Sequence, residues 1–449
     1  MDTTRRNLDL SAALQESERQ FIAANPTSEH HARVGRSAMP GGNTRSILHF
    51  DPFPLTWSHG EANHLTDADG HTYTDFLGEF TAGLFGHSDP IIQHAVRTAL
   101  SDGIVLGGPN GYEGQLASAI TARFPSLDLV RFCNSGTEAN VLALQTARHM
   151  TGRDRIMVFE GGYHGSVLYF GHHGNPLNLS MDWLMGRYNA IDETHAQIEK
   201  HGPSLAAILV EPMQGSGGCI PADPAFLAML RIEASRHGIV LIFDEVMTSR
   251  LSPSGLQGQL GITPDMTTLG KYLGGGLSFG AFGGKRDLME RFDPEHADCI
   301  IHAGTFNNNV LSMAAGLAGL TQVFTPAEAQ RLNALGGTLR DALNTAAARH
   351  KAPMTVTGVG SLMTVHFSDA PINGPDDAHP HDAKREILMK ACGKLFHLEM
   401  MAHGHYLARR GFIALSLPMT QHDIDAFIAA TDDFLEANTP AMTAAFELR

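Results

Sequence analysis

The chain has 449 residues, 43% of them hydrophobic and 18% charged, and a formal net charge of −15. That length is ample for a large core and suggests two or three domains, while the acidic balance argues against nucleic acid as the main partner. Mean hydropathy is −0.10, and no apolar run is long enough to span a bilayer.

The first residues, MDTTRRNLDLSAALQESERQ, are polar and carry acids, unlike a signal or transit peptide. Residues 8 to 25 have the apolar spacing of an amphipathic helix, with Leu10, Leu14, Phe21 and Ile22 on one side and Pro26 as its stop. A loop-rich stretch follows (MPGGNTRS, DPFPLT). The turn DADG at 67–70 then joins strands expected around His64–Leu65 and Thr72–Phe76 as a hairpin. From about residue 88, helices (88–102, 111–123, 137–151) alternate with short apolar strands: LVRFC at 129–133, RIMVF at 155–159, AAILVEP at 206–212 and IVLIFDE at 239–245. Near-continuous apolar strands between helices mark a parallel sheet covered on both faces, with its ligand site at the carboxyl ends of the strands. Beyond about residue 330 the pattern is that of a smaller α+β unit. It has a helix at 327–349, strands around Met354–Val359 and Leu362–Phe367, an exposed polar loop at 369–382, and helices to the end.

Lys271, in TTLGKYLGGG, is a lone lysine in an apolar, glycine-rich setting. The other six (Lys200, Lys285, Lys351, Lys384, Lys390, Lys394) lie in polar or charged surroundings, apart from Lys285 after a glycine pair. A buried lysine that loses its proton can attack a carbonyl, which is how pyridoxal phosphate is anchored. Asp244 ends the apolar run IVLIF, where an unpartnered carboxylate is costly. A protonated pyridine nitrogen would satisfy it, and so would an arginine such as Arg250. In FCNSGTEAN, Ser135, Gly136 and Thr137 place hydroxyls and free N–H groups at a helix start, which suits a phosphate but equally an ordinary N-cap. Tyr163 in GGYHG has glycine neighbours that let the backbone approach a flat ring, where a packed turn is the alternative. His164 is open between function and packing. Glu211 and Gln214 in VEPMQG end another strand and could reach the ring's substituents or serve loop hydrogen bonds.

Other chemistries fit poorly. A P-loop fails at Asp265 and Tyr272, and GVGSLM lacks the third glycine of a dinucleotide loop. The dispersed Cys133, Cys219, Cys299 and Cys392 fit free thiols in a reducing cytoplasm. The 25 histidines include the pairs His30-His31 and His172-His173 but no His-Glu-x-x-His helix, so no metal site is expected.

The ordered set SGTEAN, GGYHG, VEPMQG, FDEVMTSR, TLGKYLGGG and HAGTFNNN resembles the class III aminotransferases of pyridoxal-phosphate fold type I, over about residues 30 to 445. The resemblance implies an α/β fold with a mostly parallel seven-stranded sheet in a large domain (76–330). A small α+β domain would be built from both termini (1–75 and 331–449). It implies pyridoxal 5'-phosphate bound through Lys271 as catalytic lysine, Asp244 on the pyridinium, and Ser135, Gly136 and Thr137 at the phosphate. Tyr163 and Val246 would lie on opposite faces of the ring. His164, Glu211 and Gln214 would stand near it, and Thr305 would reach the phosphate from the neighbouring subunit of a homodimer.

Within the family, MPGGNTRS looks like both glutamate-1-semialdehyde aminomutases and bacterial β-phenylalanine aminotransferases, with Arg45 at the substrate carboxylate. The runs NTRSILHFDPFPLT and RRGFIALSLP look like the β-phenylalanine enzymes. Arg410 (or its neighbour Arg409) would then meet the keto acid's carboxylate, and Phe80 would line an aryl pocket or simply pack. Aminomutases carry an acidic residue in that part of the chain, and none is found here. The expectation is a cytoplasmic, homodimeric aminotransferase moving the amino group of a β-amino acid to 2-oxoglutarate or pyruvate. An aminomutase-like isomerase and a non-catalytic protein on the same fold are the alternatives.

Overall fold

The computed structural model describes residues 7–171 and 174–447, which leaves the pair His172-His173 outside the described residues. Its centre is a seven-stranded sheet. The strand order is Leu129–Cys133, Gly280–Gly284, Met266–Gly270, Val240–Asp244, Leu205–Val210, Arg155–Phe159, Trp183–Gly186. From Met266–Gly270 onward all neighbours pair in parallel, and Gly280–Gly284 runs antiparallel to both strands beside it. Leu205–Val210 and Val240–Asp244 are buried at every position, as two covered faces demand. Crossover helices begin and end on strong local signals. Asp223 caps Pro224–His237, and Gly238 closes it with a left-handed φ of 63°.

The sequence GAFGG carries little apolar signal, yet it is a central strand. A Cβ on Gly280 would stand 2.2 Å from the Ser135 carbonyl oxygen, and one on Gly283 would stand 2.4 Å from that of Leu129. Close backbone approach selects glycine there.

The later chain forms a three-stranded antiparallel sheet of Met354–Val359, Leu362–Phe367 and Phe412–Ala414. The helices Pro326–His350 and Ala383–Ala402 pack on it, and Gln421–Glu447 packs on those two helices. A further sheet joins the two ends of the chain. Trp57–Glu61, His64–Asp67 and Thr72–Asp75 form a meander, and His405–Tyr406 adds to Thr72–Asp75 in parallel. The hairpin at 67–70 is organised by buried Asp67, which accepts from Asp69 N–H (2.9 Å), His71 N–H (2.8 Å) and the Tyr73 hydroxyl (3.0 Å).

Two local expectations are corrected. Pro26 does not lead into a loop: the helix Leu10–Ala24 ends, and Pro26 opens a second helix, Pro26–Arg36. A proline lacks only an N–H that the first helical turn leaves unpaired. The polar loop 369–382 is not simply exposed either. Pro375–Ala378 forms a short helix with Pro375 and Ala378 buried, and Ile372 packs in one cluster with Val210 and Phe226. No single helix among the described residues is long and apolar enough to cross a membrane.

Candidate active site

The carboxyl ends of the central strands bring the expected site residues close to one another. After Cys133 the backbone is extended through Ser135 and turns into the helix Gly136–Thr151, with Ser135 Oγ accepting from Glu138 N–H at 3.2 Å. The N-cap reading is therefore correct, and the other N–H groups of the first turn have no partner within the helix. Space here is tight. A Cβ on Gly136 would lie 2.9 Å from the Val246 methyls, and one on Gly165 (φ +124°) would lie 2.2 Å from Thr137 Oγ1.

Asp244 is 5% exposed at the end of its strand. Its Oδ2 accepts from Asn140 Nδ2 (2.9 Å) and faces His164 Nδ1 (2.8 Å), while Oδ1 accepts from Val246 N–H at 3.0 Å. Asn140 also donates to the His164 carbonyl (3.0 Å) and accepts from Thr268 Oγ1 (2.7 Å). The carboxylate is thus oriented from three sides. Arg250 is not its partner: that side chain is fully buried and donates to the Leu415 carbonyl.

Lys271 follows the strand Met266–Gly270 in a left-handed conformation (φ 56°), and its Nζ donates to the Phe80 carbonyl at 2.6 Å. Burial lowers its pKa to about 8, helped by the charges of Arg410 and Arg45 and opposed by those of Asp244 and Glu211. Glu211 accepts from Tyr163 N–H and Gly215 N–H, both at 2.8 Å. Burial still raises its pKa, with the His164 charge acting against it. Gln214 donates to the Glu160 carbonyl (2.7 Å), and its Oε1 is a buried acceptor with no hydrogen-bond partner among the described residues. Tyr163 is 45% exposed and meets Tyr169 edge-on at 5.7 Å.

Gly78, Glu79, Phe80 and Thr81 all have positive φ (53°, 47°, 50° and 82°), a strained turn of the kind that clusters at functional sites. It aims the Phe80 carbonyl at Lys271 and buries the ring against Phe412, stacked at 5.8 Å. Two guanidinium groups lie close to that ring, Arg410 at 5.5 Å and Arg45 at 5.7 Å from its centroid. Arg410 donates to Ser216 Oγ (3.0 Å), and Arg45 is ion-paired with Glu79. Arg409 points elsewhere, exposed, with its charge acting on His397. Thr305 stands exposed on the loop 301–309. Among the described residues no hydrogen bond links it to the site, although Asn134 beside Ser135 donates to Asn307 of the same loop at 3.0 Å.

Sequence reasoning singled out neither Asn140, Thr268, Ser216 nor Phe412. Asn140 closes the SGTEAN run, and Thr268 is a polar residue in a buried strand; each carried a faint signal. The set fits pyridoxal 5'-phosphate. It offers a buried oriented carboxylate for a pyridine nitrogen, a lysine of lowered pKa, a helix start with hydroxyls for a phosphate, an unpaired acceptor at Gln214, and glycines where a Cβ would close the space.

The chain is similar to known proteins over most of its length. The family described as aminotransferase class-III matches residues 49–170 and 178–402. The beta-phenylalanine transaminase of Variovorax paradoxus is 49% identical over 426 residues, covering 95% of this chain and 96% of that protein. The crystal structure of the beta-phenylalanine aminotransferase from the same organism superposes with a TM-score of 0.91, covering 95% of this chain and 97% of the other. A glutamate-1-semialdehyde 2,1-aminomutase of Desulfatibacillum aliphaticivorans is 37% identical over 399 residues, covering 85% and 92%.

Proposed function

Because the chain belongs to the class III aminotransferases, a family of pyridoxal-phosphate-dependent transaminases, we propose that its donor is a β-amino acid of the β-phenylalanine type and its acceptor a keto acid such as 2-oxoglutarate or pyruvate. The observation that carries this reading is the pair Arg45 and Arg410, both close to the ring of Phe80, whose carbonyl receives Lys271. In a β-amino acid the carboxylate is one carbon farther from the amine-bearing carbon than in an α-keto acid's product. One enzyme handling both needs two positions at which a carboxylate can be held, and two separate guanidinium groups supply them. Arg45 takes the donor carboxylate and leaves Glu79 to do so; Arg410, braced by Ser216, takes that of the acceptor. Phe80, backed by the fully buried Phe412, gives an aryl group an apolar wall.

Bound pyridoxal phosphate supplies the electron sink for the charge left on the substrate carbon. Asp244, held by Asn140 and His164, keeps the pyridine nitrogen protonated. Ser135, Gly136 and Thr137 hold the phosphate, and Tyr163 and Val246 bound the ring. Glu211 and Gln214 line its polar edge. Lys271 Nζ takes the proton from the amine-bearing carbon and returns it on the other side of the exchange, a task suited to a group whose pKa is about 8.

The functional unit in this reading is a cytoplasmic homodimer. The loops 104–110 and 301–309 are tied by Asn110 to the Asn308 carbonyl (2.8 Å), and they expose Val105 (79%), Ile301 (87%) and Phe306 (59%). An apolar patch of this kind suits a partner subunit.

The test is spectroscopic. β-Phenylalanine added to the holoenzyme should abolish the visible band of the bound cofactor, and 2-oxoglutarate should restore it. A band that β-phenylalanine leaves unchanged refutes the donor assignment. Conversion of glutamate-1-semialdehyde without any keto acid would identify an aminomutase instead.

A further inference from the structure

The helices Ile191–His201 and Pro224–His237 pack against each other. Each carries a donor pair one turn apart: His195 and Glu199 on the first, Glu233 and His237 on the second. That spacing puts both members of a pair on one helix face, and the two faces meet. His195 Nε2 lies 3.9 Å from Glu199 Oε1 and 3.6 Å from Glu233 Oε1. His237 Nε2 lies 3.9 Å from Glu199 Oε1 and 3.6 Å from Glu233 Oε2. These separations are too long for hydrogen bonds. They approach the spacing of donors around one small cation, since ligand atoms about 2.0–2.2 Å from a tetrahedral zinc ion stand roughly 3.3–3.6 Å apart. One donor atom each from His195, Glu199 and Glu233 falls within 4.8 Å of the others, and His237 stands outside that group.

A second observation is independent of that spacing. The Glu233 side chain is only 8% exposed, and its Oε2 is buried without a hydrogen bond, as is Nε2 of His237. A buried carboxylate oxygen left in this state wants a positive centre, and so does the imidazole nitrogen in the tautomer that leaves it unprotonated. Arg236 supplies part of one, through its ion pair with Glu199 and a 3.5 Å approach to Glu233 Oε2. Its side chain is 58% exposed and can leave without opening the core. His195 and Glu199, 45% and 39% exposed, keep the cluster open to solvent.

We propose that His195, Glu199 and Glu233, with His237 at the rim of the cluster, form a binding site for a first-row divalent cation of the zinc type, for which Arg236 is the competing positive charge. One imidazole and two carboxylates, with solvent completing the shell, are a donor set such ions accept. An ion held there ties the two helices together and neutralises both carboxylates. The inference does not depend on the donor assigned to the enzyme.

The experiment is a zinc titration of untagged, chelator-treated holoenzyme, followed by calorimetry and thermal unfolding. One saturable site per chain is expected, with a rise of a few degrees in Tm at saturation. His195→Asn, at an exposed position that leaves the core intact, should weaken binding at least tenfold, and Arg236→Gln should tighten it by a similar factor. The proposal is overturned if zinc shows no saturable binding, or if the affinity is unchanged in both His195→Asn and Glu233→Gln.

Discussion

Lys271 does its work only without its proton, and its surroundings decide when that happens. With a pKa of about 8 against an ordinary 10.5, the apoprotein's capture of pyridoxal phosphate should accelerate as pH rises, with a midpoint about pH 8. A stopped-flow pH series reads this directly, and a midpoint near 10 would show that the pocket does not tune the lysine. The stability consequence follows from the same shift. The unfolded chain holds the proton more tightly, so Lys271 weakens the apo fold at every pH below about 8. That penalty fades as pH climbs to 10.5. Lys271→Met should remove this rise from denaturant titrations. The arginines give a second prediction at this scale. Arg410→Ala should raise the KM for 2-oxoglutarate about ten- to a hundredfold, the worth of a charge-assisted hydrogen bond, with a smaller effect on the amino donor. Arg409→Ala should leave both near wild type, because Arg409 is exposed away from Phe80 and Phe412. The sequence alone presents two adjacent arginines and no means to choose. Which one turns inward depends on the tight turn at Gly411 (φ 82°) and the pairing of Phe412–Ala414 with Leu362–Phe367.

Elements were legible where their signal is local. The strands LVRFC, RIMVF and IVLIFDE and the helix after SGTEAN stand where their apolar runs and caps put them. Met266–Gly270 and Gly280–Gly284 were silent, since threonines and glycines selected by backbone contact carry no periodic pattern. The left-handed turn Gly78–Thr81 was equally hidden, because three of its residues are not glycine and only the assembled fold holds them there. The same holds for the proposed metal cluster: its donors are split between two helices, so no single-helix motif shows it. Where conformation and contact do coincide, the consequence can be tested. Gly165 combines a φ of +124° with a Cβ position 2.2 Å from Thr137 Oγ1. Gly165→Ala therefore costs backbone strain of about 1–3 kcal/mol and pushes Thr137 off the helix start. Affinity for pyridoxal phosphate should fall about tenfold or more, with the fold retained by circular dichroism. Unchanged affinity would remove Thr137 from the phosphate site.

At the scale of the whole molecule, one chain joins its two ends through the pairing of Thr72–Asp75 with His405–Tyr406. This brings Arg45 and Arg410 to a cleft built largely by the middle of the sequence. One proposed residue does not join them. Thr305 is exposed on a loop whose neighbours Ile301 and Phe306 offer apolar surface to a second subunit. If the partner subunit's Thr305 completes each site, the two halves of the machinery are separable. A Lys271→Ala subunit lacks the lysine but still lends its Thr305. A Thr305→Glu subunit, whose carboxylate repels the phosphate, keeps its lysine. Each homodimer should be inactive or nearly so. A mixed dimer, isolated by two different tags after co-expression, contains one site with both parts intact and should show about half the wild-type rate per dimer. If Thr305 served its own subunit, no site in the mixed dimer would be whole, and the rate would stay at the level of the inactive parents. Recovered activity therefore establishes the shared site, and its absence rejects it, while the assignment of Lys271 stands either way.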